Sequence, residues 1–107
     1  TSGAMFAQKI KGAQVTQFNT AAESFMELNK GSCAAAVNDK PVLEYYLATT
    51  KNPNLSLLSD RFTFEQYGIV TAKDNEELTE KISEGLKTIK ANGTYDKIYQ
   101  KWFGKQE

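Results

Sequence analysis

The sequence contains no histidine, one cysteine and one arginine, and each scarcity closes a route to function. Without imidazole there is no Ser–His–Asp triad, no histidine general base and no histidine metal ligand. With Cys33 alone, neither an intrachain disulfide nor a thiolate zinc site can form. That cysteine sits in the small apolar run Cys33-Ala34-Ala35-Ala36-Val37, which reads as a buried structural position rather than a reactive thiol. Arg61 is the sole guanidinium, and 13 basic residues balance 13 acidic ones, so no net field favours nucleic acid or an anionic membrane. No apolar run approaches the ~18 residues that cross a bilayer. No export signal is visible, and Thr1-Ser2-Gly3-Ala4 is unlike a natural start, which places the true N-terminus upstream as an expectation. Neither a metal nor a cofactor is expected.

What is present is an ordinary globular composition. The 107 residues are 40% apolar and 24% charged, enough for one small domain.

Local signals divide this chain into short elements. Thr20-Ala21-Ala22-Glu23 has the form of a capping box, opening a helix that carries Ala22, Phe25 and Met26 and stops at Gly31. Asp39 is a suitable N-cap and Pro41 falls in the first turn of a helix running to about Thr49. Asp74 or Asn75 caps a further helix, with Glu76 and Glu77 at its start, Leu78, Ile82, Leu86 and Ile89 at helical spacing, and Gly93 as its stop. Thr94 begins a last helix with the stripe Tyr95, Ile98, Tyr99, Trp102 and Phe103, ended by Gly104. Between the helices, 13–18 alternates as a strand does, 33–37 reads as a strand covered on both faces, and 55–58 and 67–71 are further strand candidates. Helix, strand, helix, strand, helix, strand, strand, helix, helix argues for an α/β fold with a mixed, mostly parallel sheet.

Three stretches carry a family resemblance. Glu65-Gln66-Tyr67-Gly68-Ile69-Val70, the helix after it, and the ending Asn92-Gly93-Thr94-Tyr95-Asp96-Lys97-Ile98-Tyr99-Gln100-Lys101-Trp102-Phe103-Gly104 form the strongest part. Leu28-Asn29-Lys30-Gly31 through Asp39-Lys40-Pro41-Val42 adds a second block, with Ala34 where the family pattern has an aspartate that closes a turn. The chain resembles the C-terminal half of periplasmic amino-acid-binding proteins, the solute receptors of ABC importers, among them the glutamine-like receptors. That resemblance implies one lobe of a two-lobed α/β fold. Residues 1–66 would be an incomplete second, ligand-binding lobe, and 67–107 a hinge-crossing strand plus two helices that pack on the other lobe.

The resemblance also implies a site. Asp39 would receive the ligand's α-ammonium; a carboxylate held at a strand end is preorganised for a cation. Thr1, Ser2 and Gly3, which resemble a loop leading into a helix, would hold the α-carboxylate through hydroxyls and first-turn amides. Asn38 would reach the ligand side chain. The implied partners are a free amino acid, a membrane permease, and either the missing N-terminal lobe or a swapped partner chain; the implied location is periplasmic or extracellular, membrane-tethered in some relatives. Two rivals remain open at this point. An enzyme on the same scaffold would need a placed acid or base, for which Asp39 and Glu65 are the candidates. A receiver-type signalling domain would need an acidic cluster that only Asp39 approaches.

Overall fold

A computed structural model of the chain describes residues 1–105. Five helices order them: α1 (Ser2–Ala7), α2 (Ala21–Lys30), α3 (Lys40–Thr50), α4 (Glu76–Ala91) and α5 (Thr94–Phe103). They fall into two compact units, one spanning Thr1–Phe62 and one from Thr63 onward.

The helix ends follow from side chains close in sequence. At the start of α2, Thr20 Oγ1 accepts from the Glu23 amide at 3.3 Å, and Glu23 Oε2 accepts from the Thr20 amide at 3.2 Å. At its end Gly31 turns left-handed (φ 79°), and the Gly31 and Ser32 amides donate back to the Leu28 and Glu27 carbonyls at 3.1 Å. That pair of bonds satisfies carbonyls the helix leaves without partners. Asn75 caps α4 by accepting from the Leu78 amide at 3.1 Å. Gly93, at φ 81°, separates α4 from α5 where a side chain would be strained.

In the first unit, α2 and α3 meet through Phe25, only 5% exposed, whose ring stacks on Tyr46 with centroids 4.2 Å apart. Above the stack, the Asn29 side-chain amide donates to the Tyr46 hydroxyl and accepts from Asn52 Nδ2 at 2.9 Å. This polar chain ties the end of α2 to the loop after α3. Phe6 of α1 stacks on Phe62, the ring centroids 4.5 Å apart. In the second unit, residues 67–71 run beside α4, and the Thr71 and Thr79 hydroxyls share a hydrogen bond of 2.6 Å. Lys90 of α4 sits 5.4 Å from the Tyr95 ring of α5. Tyr95, Tyr99 and Phe103 line up along one side of α5.

No strand forms among the described residues, so the sheet expected from 13–18, 33–37, 55–58 and 67–71 is not seen. A strand exists only with a hydrogen-bonded neighbour, and these four segments make no ladder with one another. The expected double coverage of 33–37 fails too: Ala34, Ala35 and Val37 are exposed, and Cys33 is half-buried rather than buried. Residues 55–58 keep the alternation of a strand with one covered face, Leu55 and Leu57 being half-buried while Ser56 and Leu58 are exposed.

Little apolar surface is enclosed. Ala7 and Phe25 are the buried hydrophobic residues among those described, whereas Val70 is 95% and Trp102 49% exposed.

Two stability effects are expected. Phe25→Ala removes the buried ring of the α2–α3 pair and costs about 3 kcal/mol in urea unfolding followed by circular dichroism; Thr20→Ala costs about 1 kcal/mol through loss of the cap. Hydrogen bonds from Lys30 and then Ser32, with the Lys30 charge, hold the Glu27 carboxyl below its ordinary value of 4.5. Its contribution is therefore present above that value and lost as pH falls through the lowered one, and Glu27→Gln should flatten that part of the pH profile of stability.

Candidate functional site

The starts of α1 and α3 come together in the first unit. α1 is capped by Thr1, whose Oγ1 accepts from the Ala4 amide at 3.2 Å while its carbonyl accepts from the Met5 amide at 3.1 Å. Ser2 and Gly3 lie in the first turn, where amides have no carbonyl partner within the helix. Gly3 packs directly against the segment leading into α3. A Cβ built on it would stand 3.2 Å from the Val37 carbonyl oxygen and 3.4 Å from Val37 Cγ1.

Two residues beyond Val37, Asp39 is the N-cap of α3, with extended backbone (φ −61°, ψ 137°). Its carbonyl accepts from the Val42 and Leu43 amides at 3.0 and 3.2 Å. Its side chain, however, makes no capping hydrogen bond. The second residue of the helix is Pro41, which has no amide to be capped, and the third amide, that of Val42, is already engaged by the Asp39 carbonyl. The Asp39 amide donates to Asn38 Oδ1 at 2.7 Å. Pro41 follows in the first turn, and Lys40 pairs with Glu44 at 3.0 Å. That pairing directs the neighbouring cation along the helix.

The five residues expected at a site therefore sit on two adjoining helix starts, Thr1, Ser2 and Gly3 on one and Asn38 and Asp39 on the other. Thr1 and Ser2 are exposed; Gly3, Asn38 and Asp39 are half-buried. Such an arrangement offers hydroxyls and amides for an anion near a carboxylate for a cation. Sequence reasoning missed Val37, whose backbone oxygen makes the contact with α1; the absence of a side chain at Gly3 is the one hint of it.

Two grooves lie elsewhere. One, of about 330 Å³, is lined by Ala22, Phe25, Met26, Val42, Tyr45 and Tyr46 between α2 and α3. Another, of about 400 Å³, lies between residues 67–71 and α4 and includes Tyr67, Ile69, Leu86 and Tyr95. Among the described residues no group of three Cys, Asp or Glu side chains forms a metal cage, and no helix is long and apolar enough to cross a membrane.

The sequence model of the bacterial extracellular solute-binding proteins, family 3, matches residues 4–105. The chain is 36% identical over 102 residues to the ABC transporter glutamine-binding protein GlnH of Bacillus subtilis (strain 168), covering 95% of the chain and 37% of that protein. It is 33% identical to the ABC transporter arginine-binding protein 1 of Escherichia coli (strain K12), covering 84% of the chain and 38% of that protein. It is 30% identical to the probable histidine-binding protein of Neisseria gonorrhoeae, covering 87% and 35%. The chain thus spans less than two-fifths of the length of these relatives. No solved structure matches it significantly.

The close approach at Gly3 gives a direct check. Gly3→Ala forces a Cβ to within 3.2 Å of a backbone oxygen, so α1 must shift from residues 37–39. We expect a loss of about 1 kcal/mol and amide chemical-shift changes at Val37 to Asp39; an unperturbed spectrum at those residues contradicts the packing.

Proposed function

The chain belongs to family 3 of the bacterial extracellular solute-binding proteins, and on that premise we propose that it supplies the gripping surface of a receptor for a polar amino acid. The family's fold is two α/β lobes around a cleft. In this reading residues 1–66 belong to the second lobe and residues 67–107 carry a hinge crossing and two helices that return to the first. The segments 13–18, 33–37, 55–58 and 67–71 become strands of a mixed, mostly parallel sheet once neighbouring polypeptide completes the ladder. The exposed apolar side chains of α4 and α5 gain their cover in the same way, from the first lobe or from a swapped partner chain.

The observation that carries the reading is the meeting of the α1 start with the α3 start at Gly3 and Val37. A zwitterion presents an anion and a cation on one carbon, so a suitable site needs two complementary groups a short distance apart. Thr1, Ser2 and Gly3 hold the α-carboxylate through hydroxyl and first-turn amides. Asp39 receives the α-ammonium, and Asn38 donates to the ligand's side chain through its amide nitrogen. A glutamine-like ligand is preferred because the 36% identical relative is named as a glutamine-binding protein.

The mechanism is non-covalent. An amino acid bridging two lobes contacts both only when they close, and it shifts the hinge equilibrium by that difference in affinity. A membrane permease of the ABC type then reads the closed form on the extracytoplasmic side, the receptor being periplasmic, extracellular or tethered. No acid–base step is assigned to Asp39 or Glu65.

Asp39→Ala in the full-length receptor should weaken amino-acid binding by roughly several hundred- to several thousand-fold, equivalent to about 3–5 kcal/mol for an ammonium left without its partner. Titration calorimetry with L-glutamine checks this; a change below about tenfold contradicts the role of Asp39.

A further inference from the structure

We propose that Asn92-Gly93, in the turn between α4 and α5, is a deamidation site that the folded turn holds shut. It stands apart from the receptor reading, because it concerns a covalent change in the chain and involves no bound ligand. In the reaction the Gly93 nitrogen attacks Asn92 Cγ and a five-membered succinimide closes. The Asn92 side-chain nitrogen leaves as ammonia, taking up the proton that the Gly93 amide gives up. Water then opens the ring at either carbonyl, giving aspartate or, with the side-chain carbon drawn into the main chain, isoaspartate.

The sequence supplies the reactivity and the structure the restraint. Asn92 is the one asparagine of the chain followed by glycine, so no side chain on the next residue shields the attacking nitrogen. Asn92 is also exposed, and water reaches its side-chain amide. Ring closure needs the side chain and the Gly93 nitrogen nearly in one plane, on the same side of the Asn92 Cα–C bond. At φ −94° and ψ 4° they are not. With ψ near zero the Gly93 nitrogen eclipses the backbone nitrogen of Asn92, and Cβ stands a third of a turn away. Hydrogen bonds on both sides keep this arrangement. The Asn92 amide donates to the Thr88 carbonyl at 3.0 Å, and Asn92 Oδ1 accepts from the Thr94 amide at 3.0 Å. Gly93, at φ 81°, completes the reversal into α5, and its carbonyl accepts from the Lys97 amide at 3.2 Å. Once these bonds open, the Asn92 Cα–C bond rotates and the Gly93 nitrogen comes within reach of Cγ. The aspartate product can still accept from the Thr94 amide, at a helix start that favours an anion. The isoaspartate product lengthens the main chain by one carbon between the Thr88 and Thr94 bonds, so the turn no longer closes as before.

The experiment incubates the full-length protein at mildly alkaline pH, folded and in guanidinium chloride, and follows the tryptic peptide 91–97 by chromatography and mass spectrometry. In denaturant the peptide should gain one mass unit and split into aspartate and isoaspartate forms. In the folded protein the same conversion should be at least about tenfold slower, because it waits on opening of the turn. Circular dichroism establishes which samples are folded. Asn92→Gln, whose side chain is one carbon too long for the five-membered ring, should abolish the products in denaturant. No conversion in denaturant overturns the site, and equal rates in the two conditions overturn its protection by the turn. Products that persist in Asn92→Gln trace the change to another residue and overturn both.

Discussion

The contact between Gly3 and the Val37 carbonyl is the constraint on which the first unit's functional geometry depends. A Cβ at residue 3 would stand 3.2 Å from the Val37 oxygen, tighter than most such contacts, so a side chain there would push α1 and this segment slightly apart. Through that approach the first turn of a six-residue helix comes beside the loop that ends in Asn38 and Asp39. Neither group would be of use to a zwitterion alone. A short helix start favours anions, and a carboxylate favours cations; in the proposed receptor site it is their adjacency that suits them to one molecule.

The remaining structure reads as support for that adjacency. Phe25 on Tyr46, with the Asn29–Tyr46–Asn52 hydrogen bonds above it, fixes α2 against α3 and so sets where α3 begins. Phe6 on Phe62 anchors α1 from its other side. The energetics are lean, because Phe25 is one of two buried hydrophobic residues among those described. A unit with so little enclosed apolar area draws modest stability from itself and gains more from whatever covers its open faces.

What could be read in the sequence was whatever depends on neighbours a few residues apart. The Thr20–Glu23 box, the left-handed Gly31 and Gly93, and the Asn75 cap are local hydrogen-bond and steric effects, and the helix ends sit where those residues place them. The placement of Asp39 at a helix start was legible for the same reason. Its lack of a side-chain cap has a sign in Pro41, which removes one of the two amides such a cap uses. Strands were the least legible, because the alternation at 13–18 and 55–58 marks a face but says nothing about the partner that must supply the ladder. The close packing of Gly3 on Val37 joins residues far apart in sequence, and the missing side chain at Gly3 is its one local sign.

The measurement that bears most directly on this account is a structure of the full-length receptor with L-glutamine bound. The account predicts the ligand carboxylate within hydrogen-bonding distance of the Thr1–Gly3 turn and its ammonium on the Asp39 carboxylate. A bound amino acid that touches neither helix start would contradict it.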